Sequence, residues 1–499
     1  VNISIASLYD DLSERISNLK EDKSRVTASR AIVDEALNRD EPMYGINTGF
    51  GALANKRVDG EQLKQLQRNL ILSHSVGVGD LIPKDISRLM LQLKIHALGL
   101  GNSGISEDTF DRLIYFSDHD LIPAIPEKGS VGASGDLAPL AHMSLPLLGY
   151  GSFWNKEGDD VIPAEKVLQE HNIDPIDLQP KDGLSLINGT QQMSGYGAYV
   201  LEKALSLMKA ADLIAAMSLE ALQGSIKPFD KRIHEIRPHK GQQEVARNVR
   251  ELLVDSEILE SHRHCGKVQD PYCLRCVPQV HGASRDGLRY CRNVIETELN
   301  SVTDNPLVFE NGDIISGGNF HGQPLALALD HAKIAMAEFA SISERRTYLL
   351  LEGHDGLPEL LMEETGINSG FMIPQYTSAS LVSENKVLCH PSSVDSIPTS
   401  LGQEDHVSMG SISALKLLDV FQNVEQVLAI ELFTAAQALD FRQPLKPGRG
   451  VEIAHEFIRD VIPHANTDHY FKDDINQAVE LLQSRQLIKE VEEKLTELG

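Results

Sequence analysis

Hydrophobic positions recur at helical spacing over much of the chain. In residues 84–98, Ile86, Leu89, Met90, Leu93 and Ala97 fall three or four apart and so share one helical face. Pro83 stands before them, and Gly99 and Gly101 stand after, which is start and stop chemistry for a helix. A longer Ala/Leu/Met-rich run extends from Gln191 to Gln223 and stops at Gly224. Residues 323–351 and 411–440 have the same character: long, largely apolar and free of proline after their first residues. A helix apolar over most of its circumference is buried by other helices, so three or four of them predict a central bundle. From Asp473 to Leu498 the pattern is amphipathic and heavily charged, which predicts a surface position. The intervening stretches 44–52, 126–136, 182–190, 301–323 and 391–403 are rich in Gly, Asn, Ser and Pro. Loops of this kind between rigid helices are where binding and catalysis concentrate. The expectation is a mainly α protein, with a smaller mixed N-terminal domain over residues 1–110 and a helical body over 111–499.

Composition narrows the class. The 499 residues carry 41% hydrophobic and 24% charged side chains, as a folded globular protein does. Such a length suggests roughly three domains and buries a large core without disulfides or metals. Asp and Glu number 72 against 46 Lys and Arg, a formal charge of −26, which argues against a nucleic-acid partner. Five cysteines is an odd number and fits a reducing compartment better than a disulfide framework. Residues 1–20 lack a basic-then-apolar layout, and no apolar run of about 18 residues predicts a membrane span. These features together predict a soluble cytoplasmic protein.

The chemistry concentrates in Gly129-Ser130-Val131-Gly132-Ala133-Ser134-Gly135-Asp136-Leu137-Ala138-Pro139-Leu140-Ala141-His142. Gly135 lets its backbone nitrogen approach a neighbouring carbonyl with no side chain in the way. Ser134 has a β-hydroxyl that can leave as water. Asp136 places a carboxylate beside the turn, and Leu137 onward can start a helix. A bare Ala-Ser-Gly would be an ordinary helix-capping turn. The fourteen-residue context, however, resembles the signature of the aromatic amino acid ammonia-lyase family.

In that family the tripeptide cyclises and loses two waters, giving 4-methylidene-imidazol-5-one (MIO). The resemblance implies that the Gly135 nitrogen attacks the Ala133 carbonyl and that Ser134 becomes a dehydroalanine, with no external cofactor and no metal. It also implies an ammonia-lyase/fumarase-like architecture. Expelling ammonia from an α-amino acid requires removal of a weakly acidic β-proton and loss of a poor leaving group. No ordinary side chain is a strong carbon electrophile, so a cofactor or a covalent modification must supply one.

Further segments extend the resemblance over nearly the whole chain. Tyr44-Gly45-Ile46-Asn47-Thr48-Gly49-Phe50-Gly51 matches a family loop whose tyrosine serves as an acid/base group. Leu186-Ile187-Asn188-Gly189-Thr190 matches another, in which Asn188 would hold the MIO or the substrate carboxylate. Gln269-Asp270-Pro271-Tyr272-Cys273-Leu274-Arg275-Cys276 matches a substrate segment. There Arg275 suits a two-pronged pair with a carboxylate, and Tyr272 is a second acid/base candidate. Asn319-Phe320-His321-Gly322 places Phe320 where the family packs a ring near the substrate. Cys273 and Cys276, with His262, His264 and Cys265 upstream, carry zinc-type ligands. A single Cys-x-x-Cys without a second pair favours small buried residues near the site instead.

Two places point to a substrate with an imidazole ring. Leu72-Ser73-His74 has Ser-His where phenylalanine-specific members resemble Phe-Leu and tyrosine-specific members His-Leu. Gly402-Gln403-Glu404-Asp405-His406-Val407-Ser408-Met409-Gly410 resembles the members that act on histidine. A carboxylate at Glu404 can pair with an imidazole N–H, while a phenyl ring offers no partner for it. Met372, within Phe371-Met372-Ile373-Pro374-Gln375-Tyr376, matches their ring-side methionine. Cys273 stands where serine is common, and Leu401-Gly402 where Ala-Asn is usual, a change that could loosen the loop before Glu404.

The resemblance thus implies deamination of L-histidine to trans-urocanate, the first step of histidine degradation. Catalysis would use the MIO from Ala133, Ser134 and Gly135, with Tyr44 as base and Tyr272 or Glu404 as the alternatives. Substrate binding would use His74, Asn188, Gln269, Arg275, Phe320 and Met372. A homotetramer sharing residues between subunits is expected. The alternatives are a tyrosine or phenylalanine ammonia-lyase, an aminomutase, or a catalytically silent helical scaffold.

Overall fold

The computed structural model of the chain describes residues 2–38, 45–48, 58 and 61–499. Its elements are overwhelmingly helical. Helix Lys84–Leu98 runs between Pro83 and Gly99, and buries Ile86, Leu89, Met90, Leu93 and Ala97. The long runs form helices Gln191–Ala221, Gln323–Leu350 and Gly410–Asp440. Another long helix, Val277–Leu299, is not among the apolar runs of the sequence. It carries Arg285, Asp286, Arg289, Arg292 and two glycines, so its hydrophobic stripe is narrow. No helix among the described residues is long and apolar enough to cross a membrane.

The chain divides into two compact units. The first comprises residues 1–199, 292–330 and 391–415, and the second 200–291, 331–390 and 416–499. The four longest helices each contribute residues to both.

In the first unit, a Cβ on Gly197 would stand 2.7 Å from Ile295 and 3.0 Å from Leu329, so side chains of two other long helices pack onto its bare backbone. Three two-stranded antiparallel ribbons occur among the described residues: Val78–Leu81 with Pro126–Lys128, Ser152–Trp154 with Val161–Pro163, and Leu307–Val308 with Ile314–Ile315. Among the described residues of 2–110 are five helices of twelve or more residues or parts of them, Leu8–Glu21, Ser24–Leu37, Glu61–His74, Lys84–Leu98 and the start of Glu107–Asp118, and the strand Val78–Leu81.

In the second unit, buried ion pairs join the long helices. Arg346 and Glu431 are both fully buried and meet through two hydrogen bonds of 2.6 and 2.8 Å. Glu431 also accepts the Ser218 hydroxyl at 2.6 Å. The C-terminal tail is two helices, Phe471–Gln483 and Gln486–Lys494, broken at Arg485, whose φ is +60°. It is not wholly superficial. Ala478, Leu482, Leu487 and Val491 are buried while the charged face remains outside.

Candidate active site

The Ala133-Ser134-Gly135 loop connects strand Pro126–Lys128 to helix Leu137–Ser144. Gly132, Ser134 and Gly135 have φ of +74°, +51° and +77°. Positive φ is ordinary for glycine and costly for serine, so Ser134 is held in a conformation its side chain does not favour. The cause lies in its neighbours. Gly135 bridges to Gly189, and the Asp136 N–H donates to Gly189 O at 2.8 Å. A Cβ on Gly135 would stand 2.0 Å from that same oxygen. On the other side Met409 N–H donates to Val131 O at 3.0 Å, and Ala133 is buried with Val407 and Met409. The tripeptide is therefore clamped between two loops, and no side chain fits at its third position.

Asp136 is completely buried. One carboxylate oxygen accepts the backbone N–H groups of Gln192 and Met193 at 2.9 and 3.0 Å, the first turn of the Gln191–Ala221 helix. Burial outweighs these bonds and pushes the carboxyl up to about 7. Asn188 donates its side-chain amide to Asn305 O at 3.0 Å, while its own carbonyl accepts the Lys94 ammonium at 2.5 Å. Burial lowers Lys94 to about 7, with Asp304 opposing and Lys181 reinforcing the shift. Lys94 is not marked by any motif. Its one signal was a lysine four residues from both Met90 and Leu98, on the buried side of its helix.

His74 ends helix Glu61–His74. Its Nδ1 lies 2.8 Å from Leu70 O and so carries the proton, which leaves Nε2 as an acceptor. Burial lowers its pKa, while the Leu70 carbonyl and the charge of Glu404 oppose that shift. His74 and Glu404 both belong to the first unit. Glu404 is half-buried and accepts the Thr399 hydroxyl at 2.9 Å. Before it, Ser400, Leu401 and Gly402 all have positive φ. Phe320 is half-buried in the loop preceding helix Gln323–Leu350, next to His321, whose ring stacks on His406.

The second unit carries the remaining candidates. Tyr272 and Arg275 lie one turn apart on the short helix Tyr272–Arg275. The Arg275 guanidinium sits 4.5 Å from the Tyr272 ring centre, and its Nε donates to Asp270 O at 3.0 Å. Tyr272 is 69% exposed, as is Gln269 to a large extent. Met372 is half-buried at the start of helix Met372–Leu388. Cys273 and Cys276 are half-buried rather than buried, and burial raises the Cys273 thiol. Tyr44 lies outside the described residues.

Residues 4–460 match the family model for aromatic amino acid lyases. The chain belongs to the aromatic amino acid lyase family. A curated relative within reach of this family match, a histidine ammonia-lyase of Myxococcus xanthus, is 50% identical over 94% of this chain and 92% of its own length. The crystal structure of histidine ammonia-lyase from Trypanosoma cruzi superposes with a TM-score of 0.88 and 42% identity, covering 95% of this chain and 89% of that one. A tyrosine aminomutase from Streptomyces globisporus reaches a TM-score of 0.91 at 34% identity, with full coverage of both chains. The aromatic amino acid lyase fold is therefore shared with lyases and mutases alike, and the choice of substrate must come from individual side chains.

Proposed function

We propose that the chain is an ammonia-lyase that converts L-histidine to trans-urocanate and ammonia, the entry reaction of histidine degradation. The electrophile is an MIO ring made from Ala133, Ser134 and Gly135. In its formation the Gly135 nitrogen bonds to the Ala133 carbonyl carbon and one water leaves. The Ser134 hydroxyl then departs with its α-proton as the second. The strained φ of Ser134 and the side-chain-free packing of Gly135 on Gly189 fit this ring, since both favour a loop folded back on itself. When formed, the ring supplies the carbon electrophile that ordinary side chains lack.

The chain's own residues do the rest. Arg275 binds the substrate carboxylate with its forked guanidinium, assisted by Gln269. His74 accepts an imidazole N–H through Nε2, and Glu404 pairs with the same ring. Asn188 holds the ring-forming loop, while Phe320 and Met372 line the substrate. Tyr44 removes the β-proton, with Tyr272 or Glu404 as the groups to test beside it. The exposure of Tyr272, which still has Arg275 stacked on its ring, supports a homotetramer in which these residues complete another subunit's site.

The observation that carries the substrate assignment is the Nδ1 contact of His74 with Leu70 O, which leaves Nε2 free to accept an imidazole N–H, with the Glu404 carboxylate in the same unit. Incubation with L-histidine, L-tyrosine and L-phenylalanine, read by ultraviolet absorbance of the unsaturated product, tests it. Urocanate is expected. Cinnamate or coumarate without urocanate overturns the substrate, and a β-amino acid overturns the lyase outcome.

A further inference from the structure

We propose that His142, on the helix that follows the electrophile loop, is a positioning residue for recognition of the substrate ring. It fixes how far His74 stands from Ala133-Ser134-Gly135. The inference rests on the reading above and adds a residue to it.

The Gly77 N–H donates to His142 Nε2 at 2.9 Å. Gly77 lies at a crossing of two backbone segments. A Cβ on it would meet Lys128 O at 3.1 Å, Pro126 Cβ at 3.2 Å and His142 Cδ2 at 3.3 Å. A Cβ on Gly129 would in turn meet Gly77 Cα at 3.2 Å. One of the crossing segments comes directly from His74, and the other runs directly into the electrophile loop. Where they touch, both are glycine.

Backbone pairing is irregular at the Gly77 end of this crossing. Strands Val78–Leu81 and Pro126–Lys128 pair antiparallel, but their register shifts between Val78 and Leu81. The second strand is anchored independently, because Gln192 Nε2 donates to Glu127 O at 3.0 Å. What anchors Gly77 through a side chain is His142. From Gly77 the tether to His74 is three residues, at most about 11 Å when extended. A turn bond from Val76 N–H to His74 O, 2.9 Å, shortens it. A displacement at Gly77 is thus passed to His74 with little slack.

Accepting through Nε2 requires a neutral ring with its proton on Nδ1. Burial lowers the pKa of His142, which acts in the same direction.

The experiment compares His142→Phe with His142→Gln in the full chain. Glutamine can present its amide oxygen near the position of Nε2, whereas phenylalanine fills the space and accepts nothing. Intact mass reports the two-water deficit of the ring, and urocanate formation gives KM and kcat. Both variants are expected to carry the deficit. His142→Phe should raise KM for L-histidine about tenfold with kcat within about threefold, the scale of one lost hydrogen bond, and His142→Gln should restore KM to within about threefold of the parent. If His142→Phe does not fold, His142→Met serves as the variant without a comparable acceptor.

An unchanged KM in the apolar variant overturns the proposal. So does an equal loss in the glutamine variant, or a fall in kcat and mass deficit with KM unmoved. In that last case His142 serves the loop, not His74. Absence of both urocanate and the deficit in the unsubstituted chain would instead overturn the lyase reading itself.

Discussion

Two regions of this molecule bury carboxylates, and they treat them in opposite ways. In the second unit, Asp212 is fully buried against Arg285 at 2.7 Å and His281 at 2.8 Å. Burial opposes its ionisation, but the Arg285 charge and the hydrogen bond from His281 prevail and hold the carboxyl below its usual range. Glu431 is likewise paired with a buried guanidinium, that of Arg346. Beside the Ala133-Ser134-Gly135 loop, Asp136 is equally buried and is met by backbone N–H groups and the Ser130 hydroxyl. Its pKa rises to about 7. The kind of partner decides the outcome, not the unit. Glu220, in the second unit, accepts the Ser256 hydroxyl and the Gly448 N–H, and it too rises to about 7. Full countercharges lock helices together. Dipoles leave an acid poised near neutrality, which suits the neighbourhood of a chemical step.

The sharpest break between the two regions is Ser134→Ala. It should fold, lack the two-water mass deficit and lose turnover by at least about 10³-fold, against a typical enzymatic acceleration of about 10⁶ or more. Near-normal urocanate formation would refute the electrophile. Next is Arg346→Met, which strands the buried Glu431 charge and should cost about 3–5 kcal/mol in denaturant unfolding. In the fraction that remains folded, the mass deficit should persist, because this pair lies outside the loop. A double change to Arg346→Met with Glu431→Leu should recover much of the loss, since the stranded charge goes too.

Lys94→Met should cost about 1–3 kcal/mol by leaving the Asn188 carbonyl unpaired. Unlike Arg346→Met, it should also reduce the mass deficit, as that carbonyl belongs to the loop that clamps Gly135. A full deficit in the folded variant would separate Lys94 from ring formation.

The smallest effect is a slope. With the native Asp136 carboxyl near 7 and an unfolded one near about 4, the native state keeps a proton that the unfolded state has lost between those values. Stability contributed by this group is therefore complete below about pH 4 and falls as pH rises toward 7, by at most about 1.4 kcal/mol per pH unit. Asp136→Asn should flatten that part of the profile. Glu220 contributes in the same direction, so the informative quantity is the difference between parent and variant. An identical slope in both would show that Asp136 does not titrate in this window.

The same contrast explains what was legible in the sequence. Helix Lys84–Leu98 was readable to its ends, because proline, glycine and apolar spacing are local signals. The three apolar long helices were readable too. Helix Val277–Leu299 was not, since Arg285 belongs to a buried ion cluster that masks the apolar pattern. Nor was the break at Arg485, where a non-glycine residue takes a left-handed conformation without a sequence signal. At the site, Ala133-Ser134-Gly135 and Glu404 stood out by motif. The approach of Gly189 to Gly135 and the reach of Lys94 to Asn188 did not, because they join residues far apart in the chain.

The glycine-on-glycine crossing at Gly77 and Gly129 has a consequence for how such enzymes diversify. Under the proposal above it serves as a pivot, with the Ala133-Ser134-Gly135 loop on one side and residues 73–74, proposed to read the substrate ring, on the other. If the proposed roles hold, changes at the reading end leave this packing untouched, and preference for one aromatic ring would shift to another without altering the Ala133-Ser134-Gly135 loop. On that reading the molecule resembles a lathe with an interchangeable chuck, and the close packing of two residues without side chains is the bearing on which it would turn.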